Sequence, residues 1–93
     1  MGTTSRHSVG MAVRAFRIAR GISQERLGSS QSFISDLERG VKIPSISKID
    51  QLAEALGLHP LSILAAAYQL NSPGTDLQEL LQRVERELKE VNL

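Results

Sequence analysis

Apolar residues near the start of the chain recur at the spacing of an α-helix. The stripe consists of Val9, Ala12, Val13 and Phe16. At about 100° per residue these positions fall on one face of a helix, and the stripe ends before Gly21, a residue type that often follows a last helical turn. The pattern therefore predicts a first helix over residues 8–20, after an N-terminal tail of residues 1–7.

Capping residues and breakers divide the next segment into short helices. Ser23 and Gly28 bound a very short second helix, and Ser30 is a good N-cap for a third helix over residues 31–39. After Pro44, Ser45 caps a fourth helix that ends at Gly57. Pro60 then lies in the first turn of a fifth helix, which extends to about residue 70.

The fifth predicted helix is apolar all round, so it needs two packing partners. One of its stripes consists of Leu61, Leu64 and Tyr68, and the other of Ile63, Ala67 and Leu70. One stripe can face the core of its own domain. We assign the second stripe, Ile63, Ala67 and Leu70, to an interface with a C-terminal helix or a second subunit.

Residues 71–74 are a breaker cluster, and they separate a domain over residues 8–70 from a segment that we call the C-terminal arm, residues 75–93. Thr75 opens a capping box for a sixth, amphipathic helix that runs nearly to the end. Its apolar seam alternates steps of four and three, as in a coiled coil. The seam is Leu77, Leu81, Val84, Leu88 and Val91. We expect the arm to dimerise together with the fifth helix, and folding back over its own domain is the alternative.

Composition narrows the class of protein. Apolar residues make up 41% of the 93 residues and aromatic residues only 3%, so the core must be aliphatic, which favours an all-α fold. The chain has no Cys, and this excludes disulfides and Cys-ligated zinc. It shows no hydrophobic signal region and no membrane-length apolar stretch, so we expect a soluble, cytoplasmic protein without membrane contact.

The formal net charge of +1 hides an asymmetry between the two halves of the chain. Residues 1–48 hold eight basic and three acidic residues, whereas residues 49–93 hold three basic and seven acidic residues. Such a division indicates a polyanionic partner for the first half and a second half that is kept away from it.

The predicted helix over residues 31–39 has one apolar and one polar side. Phe33, Ile34 and Leu37 share the apolar side, while the polar side carries Gln31, Ser32, Ser35, Asp36 and Arg39. A helix that lies in a DNA major groove needs this arrangement, because Gln and Arg reach base edges and Ser permits close approach. Periodicity alone does not separate it from an ordinary surface helix.

Two short motifs in the sequence are more specific than this periodicity. The Ser23-Gln24 pair and the segment ISDLERG over residues 34–40 closely resemble the Cro/XRE family of phage-repressor-like helix-turn-helix regulators. The resemblance covers about residues 9–66. It implies a five-helix, lambda-repressor-like domain that binds operator DNA as a two-fold dimer and has no enzymatic activity.

The turn before the third helix departs from the family pattern. Only Gly28 and Ser29 stand between Leu27 and Ser30, where family members carry about six residues. The roughly four missing residues are close to one helical turn. The second helix can therefore lose a turn without rotating its apolar face, or the shortening tilts the third helix away from the usual docking angle.

The resemblance implies two kinds of DNA contact. Gln24, Arg39 and Lys42 match positions that bind the phosphate backbone. Three further residues, Gln31, Ser32 and Ser35, match base-reading positions. Asp36 can accept a hydrogen bond from a cytosine amino group, although its charge would repel phosphate. Arg17 and Glu38 resemble a structural ion pair between the first and third helices.

No residue pattern indicates catalysis, a metal or a cofactor. His7 and His59 are far apart in sequence and have no carboxylate at ligand spacing, and no base is placed to activate a serine. We therefore expect a DNA-binding transcriptional regulator, a repressor acting as a homodimer on a palindromic operator, with a regulatory protein partner possible. The alternative is a helix-turn-helix relic that binds a partner protein instead of double-stranded DNA.

Overall fold

The structure, a computed structural model, describes residues 6–93, and their side chains from residue 8 onward. This part of the chain contains five α-helices, one 3-10 helix and no β-strand. The elements are α1 (Arg6–Ala19), the 3-10 helix (Gln24–Leu27), α2 (Gln31–Glu38), α3 (Ile46–Leu56), α4 (Pro60–Asn71) and α5 (Leu77–Lys89). The predicted all-α class and the predicted order of helices are confirmed, and α1 begins two residues before the predicted start.

Short capping sequences determine the ends of the central helices. The Ser30 hydroxyl accepts a hydrogen bond from the backbone N–H of Phe33, and the Ser45 hydroxyl accepts one from the N–H of Lys48. Ser23 makes no such bond, and the shortened second helix is a single 3-10 turn. Gly28 closes that turn at a φ of 76°, a left-handed conformation that favours glycine.

The ends of α4 and α5 differ from the predicted ones. Asp76, and not Thr75, is the N-cap of α5, because its carboxylate accepts hydrogen bonds from the N–H groups of Gln78 and Glu79. A carboxylate is also favoured there by the positive end of the helix dipole. Helix α4 continues through Asn71, where the Ser8 hydroxyl donates to the Asn71 side chain over 3.4 Å and joins α1 to the end of α4.

An aliphatic core lies between α1, the 3-10 helix, α2, α3 and α4. Its buried residues are Val9, Ala12, Val13, Leu27, Ile34, Leu37, Ile49, Leu52, Ala53, Leu56, Ile63 and Ala67. The assignment of Ile63 and Ala67 to a subunit interface is therefore corrected. Helix α4 packs mainly on α1 with this stripe, so Ile63 has no exposed surface, whereas Leu61 on the other stripe is 64% exposed.

Helix α5 contains no buried residue. Four residues of its seam, Leu81, Val84, Leu88 and Val91, are between 41% and 63% exposed, so the arm does not fold back to cover the seam with its own domain. Instead α4 and α5 border an open groove of about 790 Å³. We call it the α4–α5 groove; its apolar lining is Leu61, Leu64, Ala65, Tyr68, Leu80, Leu81 and Val84. None of the helices in residues 6–93 has the length and hydropathy of a membrane span.

Helices α1 and α2 approach closely at Gly10. A Cβ atom on Gly10 would lie 1.9 Å from the carbonyl oxygen of Leu37 and 2.9 Å from its carbonyl carbon. Both atoms belong to the backbone of α2, so the clash cannot be relieved by a side-chain rotation. The position of α2 against the core therefore depends on the absence of a side chain at residue 10.

The Gly10→Ala substitution is expected to destabilise the protein. Alanine normally stabilises a helix interior by about 1 kcal/mol relative to glycine, but the overpacking against Leu37 should outweigh this gain and give a net loss of about 1–3 kcal/mol. Urea denaturation followed by circular dichroism measures the free energy of unfolding. Gly74→Ala is the matched control, because a Cβ there meets nothing within 4 Å. A Gly10→Ala variant as stable as the wild type would contradict the close approach.

Candidate nucleic-acid interface

Helix α2 places a polar face toward solvent because its apolar residues are held in the core. Ile34 and Leu37 are fully buried. On the opposite side Gln31 and Ser32 are exposed in the first turn, and Ser35 is half-buried one turn later. The structure thus brings these three predicted base-reading residues together on the outer surface of one helix.

The two residues predicted to pair, Arg17 of α1 and Glu38 of α2, make a bidentate ion pair. Arg17 Nε donates to Glu38 Oε2 over 2.7 Å, and Arg17 Nη2 donates to Oε1 over 2.9 Å. Their side chains are only 15% and 4% exposed, and Arg17 Nη1 also donates to the carbonyl of Ile22. The hydrogen bonds to Glu38 and its charge raise the pKa of Arg17 although burial opposes this, so the guanidinium stays charged.

Gln24 belongs to the same network. Its Nε2 donates to Glu38 Oε1 over 3.1 Å, which ties the 3-10 helix to the last turn of α2. The amide predicted to bind phosphate is therefore oriented from within the protein. Because a glutamine amide carries two N–H groups, one of them remains for a ligand.

Asp36 lies between the two cations predicted to anchor the DNA backbone. Its carboxylate forms ion pairs with Arg39 and, over 3.8 Å, with Lys42. The side chains of Arg39 and Lys42 are otherwise largely exposed. Asp36 therefore positions both cations, and a contact between this carboxylate and a cytosine would compete with them.

A cluster of four residues beside the start of α2 was not found by sequence reasoning. Lys42 Nζ and Lys48 Nζ lie 5.5 Å and 5.2 Å from the centroid of the Phe33 ring, within the range of cation–π attraction. Lys48 Nζ also donates to Ser29 Oγ over 3.0 Å. We call Ser29, Phe33, Lys42 and Lys48 the Phe33 cluster.

Arg20, like Arg17, is a basic residue of the first half with an internal role. Arg20 Nη1 donates to the backbone carbonyls of Leu56 and Gly57 over 3.0 Å and 3.1 Å, so the guanidinium caps the C-terminus of α3. A cation is favoured there by the negative end of the helix dipole. The count of basic residues therefore overstates the charge available to a polyanion.

The described residues include no group of three or more His, Cys, Asp and Glu side chains that could hold a metal ion. His59 caps α4, with Nδ1 accepting a hydrogen bond from the N–H of Leu61. His7 lies outside the residues whose side chains the structure describes.

Comparison with known proteins supports the helix-turn-helix interpretation. A family model described as Helix-turn-helix matches residues 13–63, more than half of the chain. The control protein C.BamHI of Bacillus amyloliquefaciens is 35% identical over an alignment of 60 residues that covers 59% of this chain and 74% of that protein. An uncharacterised HTH-type transcriptional regulator of Sinorhizobium fredii is 35% identical over 63 residues, covering 63% of this chain and 82% of that protein.

Two solved structures are also similar. The restriction-modification controller protein C.AhdI of Aeromonas hydrophila aligns with a TM-score of 0.60 at 34% identity, over 62% of this chain and 94% of that chain. The clp gene regulator ClgR of Corynebacterium glutamicum aligns with a TM-score of 0.69 at 26% identity, over 99% of this chain and 98% of that chain. The second likeness extends over the C-terminal arm.

Removing one member of the buried pair is expected to destabilise the fold strongly. Glu38→Ala leaves the Arg17 charge buried without its carboxylate, and such a change typically costs about 3–5 kcal/mol. The double variant Arg17→Met with Glu38→Leu should lose less, because it removes both charges. Urea denaturation compares the variants. Glu87→Ala in the exposed Arg83–Glu87 pair is the control, expected within about 0.5 kcal/mol of the wild type. An equally small effect of Glu38→Ala would show that the pair does not hold α2.

Proposed function

Since this chain belongs to the Cro/C1-type helix-turn-helix family of DNA-binding transcription regulators, we propose that it represses transcription as a homodimer on a palindromic operator. The observation that carries the proposal is the outer face of α2, where the polar side chains of Gln31, Ser32 and Ser35 stand together on a helix fixed from behind by Glu38. A rigid helix with an unobstructed polar face is what reading of a major groove requires.

Each part of this surface has a proposed role. Gln31 and Ser32, in the first turn of α2, contact base edges, and Ser35 permits close approach one turn later. Arg39 and Lys42, held by Asp36, bind phosphates and set the register of the helix on the duplex. Gln24 adds a phosphate contact through the amide N–H that Glu38 does not use.

The C-terminal arm and the outer stripe of α4 supply the proposed dimer interface. Four of the five seam residues are exposed, and two of them, Leu81 and Val84, border the same groove as Leu61 and Tyr68 of α4. Leu61 and Tyr68 replace Ile63 and Ala67 in the proposed interface, and Leu70, which is 41% exposed, is retained from the predicted one. A two-fold dimer places two recognition helices about 34 Å apart, one turn of DNA, and this spacing matches a palindromic operator.

Repression is the simplest outcome of such binding. A dimer that occupies promoter DNA blocks access to it without any further contact surface. The similar proteins named above are a restriction-modification controller protein and a clp gene regulator, and we propose control of gene expression for this chain.

A binding experiment tests the reading role of α2. The protein is incubated with fragmented genomic DNA at about 100 mM salt, and the retained fragments are sequenced. At the site so identified, Gln31→Ala should weaken binding by about 1–3 kcal/mol and relax the sequence preference at one position, because a bidentate base contact is lost. Gln82→Ala, an exposed glutamine on α5, is the matched control and should bind as the wild type does.

The outcomes of this experiment differ in meaning. Retention of specific fragments with an unaltered preference in Gln31→Ala would remove this residue from the reading surface. Retention of no fragment by the wild type would refute the DNA-binding proposal and favour the protein-interaction alternative.

The dimer interface is tested by charges placed on the seam. Leu81→Glu with Leu88→Glu should leave a folded helical domain that sediments mainly as a monomer, because the seam contributes nothing to the core of one chain. Operator affinity should fall by about 10² to 10⁴, since the second half-site is no longer engaged intramolecularly. Gln78→Glu with Gln82→Glu adds the same charge away from the seam and should remain dimeric. A Leu81→Glu, Leu88→Glu variant of unchanged dimer strength would mean that the arm is not the interface.

A further inference from the structure

We propose that Lys48 of α3 is a DNA phosphate contact, oriented by the Phe33 cluster beside the reading face of α2. This inference rests on the proposed DNA binding and adds a contact from a helix outside the helix-turn-helix segment. The charge pattern counts Lys48 among the eight basic residues of the first half, but neither this pattern nor the resemblance to the Cro/XRE family assigned a specific contact to it.

The ammonium of Lys48 lies at the beginning of α2. It donates to the hydroxyl of Ser29, the residue directly before the N-cap Ser30, and it stands over the ring of Phe33 in the first turn. Gln31 and Ser32, the proposed base-reading residues, lie between these two contacts in the sequence and are exposed. A phosphate group adjacent to bases read by this turn is therefore within reach of Lys48.

The charge of Lys48 is not neutralised within the described part of the chain. Arg17 is paired with Glu38, and Arg39 and Lys42 share Asp36. The described ion pairs include none to Lys48, whose observed partners are a hydroxyl and an aromatic ring. Both partners restrict the flexible side chain and leave its full positive charge for an external anion.

The location of Lys48 is unfavourable for the helix that carries it. Its backbone N–H bonds to the Ser45 cap, so it occupies the position where a capping box carries Glu or Gln. The positive end of the helix dipole also disfavours a cation in this turn. The contacts with Ser29 and Phe33 offset part of this cost but leave the charge of the ammonium unneutralised, and departures from such local rules are often found at functional sites. Binding of a DNA phosphate would account for a cation at this unfavourable position.

Phe33 brings a second cation, Lys42, to the same place as Lys48. Lys42 stands over the same ring, and this residue comes from the segment after α2, whereas Lys48 comes from α3. The ring thus holds two cations from different elements beside one helix. The two cations would bind phosphates on the same stretch of the DNA backbone, and Phe33 is a positioning residue for both.

The test uses Lys48→Gln, which removes the charge and places a capping-box residue at this position. Affinity for the retained operator fragment is measured between 50 and 200 mM salt, together with the midpoint of thermal unfolding. We expect weaker binding to operator and random DNA alike, and a salt slope lower by about 0.9 for every subunit bound. The thermal midpoint should not fall. Lys48→Arg keeps the charge and should preserve the slope, and Lys89→Gln on α5 is the control with wild-type affinity and slope.

The results separate the two proposals. A wild-type protein that binds no DNA refutes the proposed function itself. A wild type that binds, with an unchanged salt slope in Lys48→Gln, refutes the phosphate contact and leaves the proposed function standing. If Lys48→Gln is less stable, the folded fraction is measured at each salt concentration and the affinity is expressed per folded protein, so that the salt slope still decides.

Discussion

The bidentate contact between Arg17 and Glu38 is the interaction on which the rest of the candidate interface depends. It crosses from α1 to the last turn of α2, and Gln24 joins it from the 3-10 helix. Three elements of the helix-turn-helix region thus meet at one nearly buried carboxylate. A buried pair of this kind contributes little net stability relative to a hydrophobic contact, but its directional hydrogen bonds select one orientation of α2.

Because α2 is fixed in this orientation, the helix-turn-helix region tolerates a very short second helix. The missing residues leave a single 3-10 turn, which buries only Leu27. Two contacts from α1 compensate for the lost packing: the bond network at Glu38, and the close approach of the two backbones at Gly10. With α2 held from behind in this way, Gln31, Ser32 and Ser35 on its outer face are available for the proposed recognition.

Local spacing in the sequence was sufficient to predict the helices and several of their caps. These local features depend on residues whose neighbours in the pattern lie within four positions, about one helical turn. They are the Ser30 and Ser45 caps, the polar face of α2 and the apolar seam of the arm. The Arg17–Glu38 pair was expected from the family resemblance alone, since its members are 21 positions apart. The sequence pattern predicted Thr75 as the cap of α5, whereas the structure has Asp76 there. This difference shows the limit of such reasoning, because adjacent polar residues can make equivalent local hydrogen bonds.

Only the tertiary structure decided which stripe of α4 faces inward and where the cations lie. Ile63 and Leu61 belong to two stripes of α4 that have the same helical spacing. Which of the two stripes faces the core follows from the position of α1, and no local pattern specifies that position. The meeting of Lys48 with Phe33, and the use of Arg20 as a cap for α3, likewise join residues from different helices. A periodic pattern states which face of a helix is apolar or charged, but contacts between elements depend on how the whole core packs.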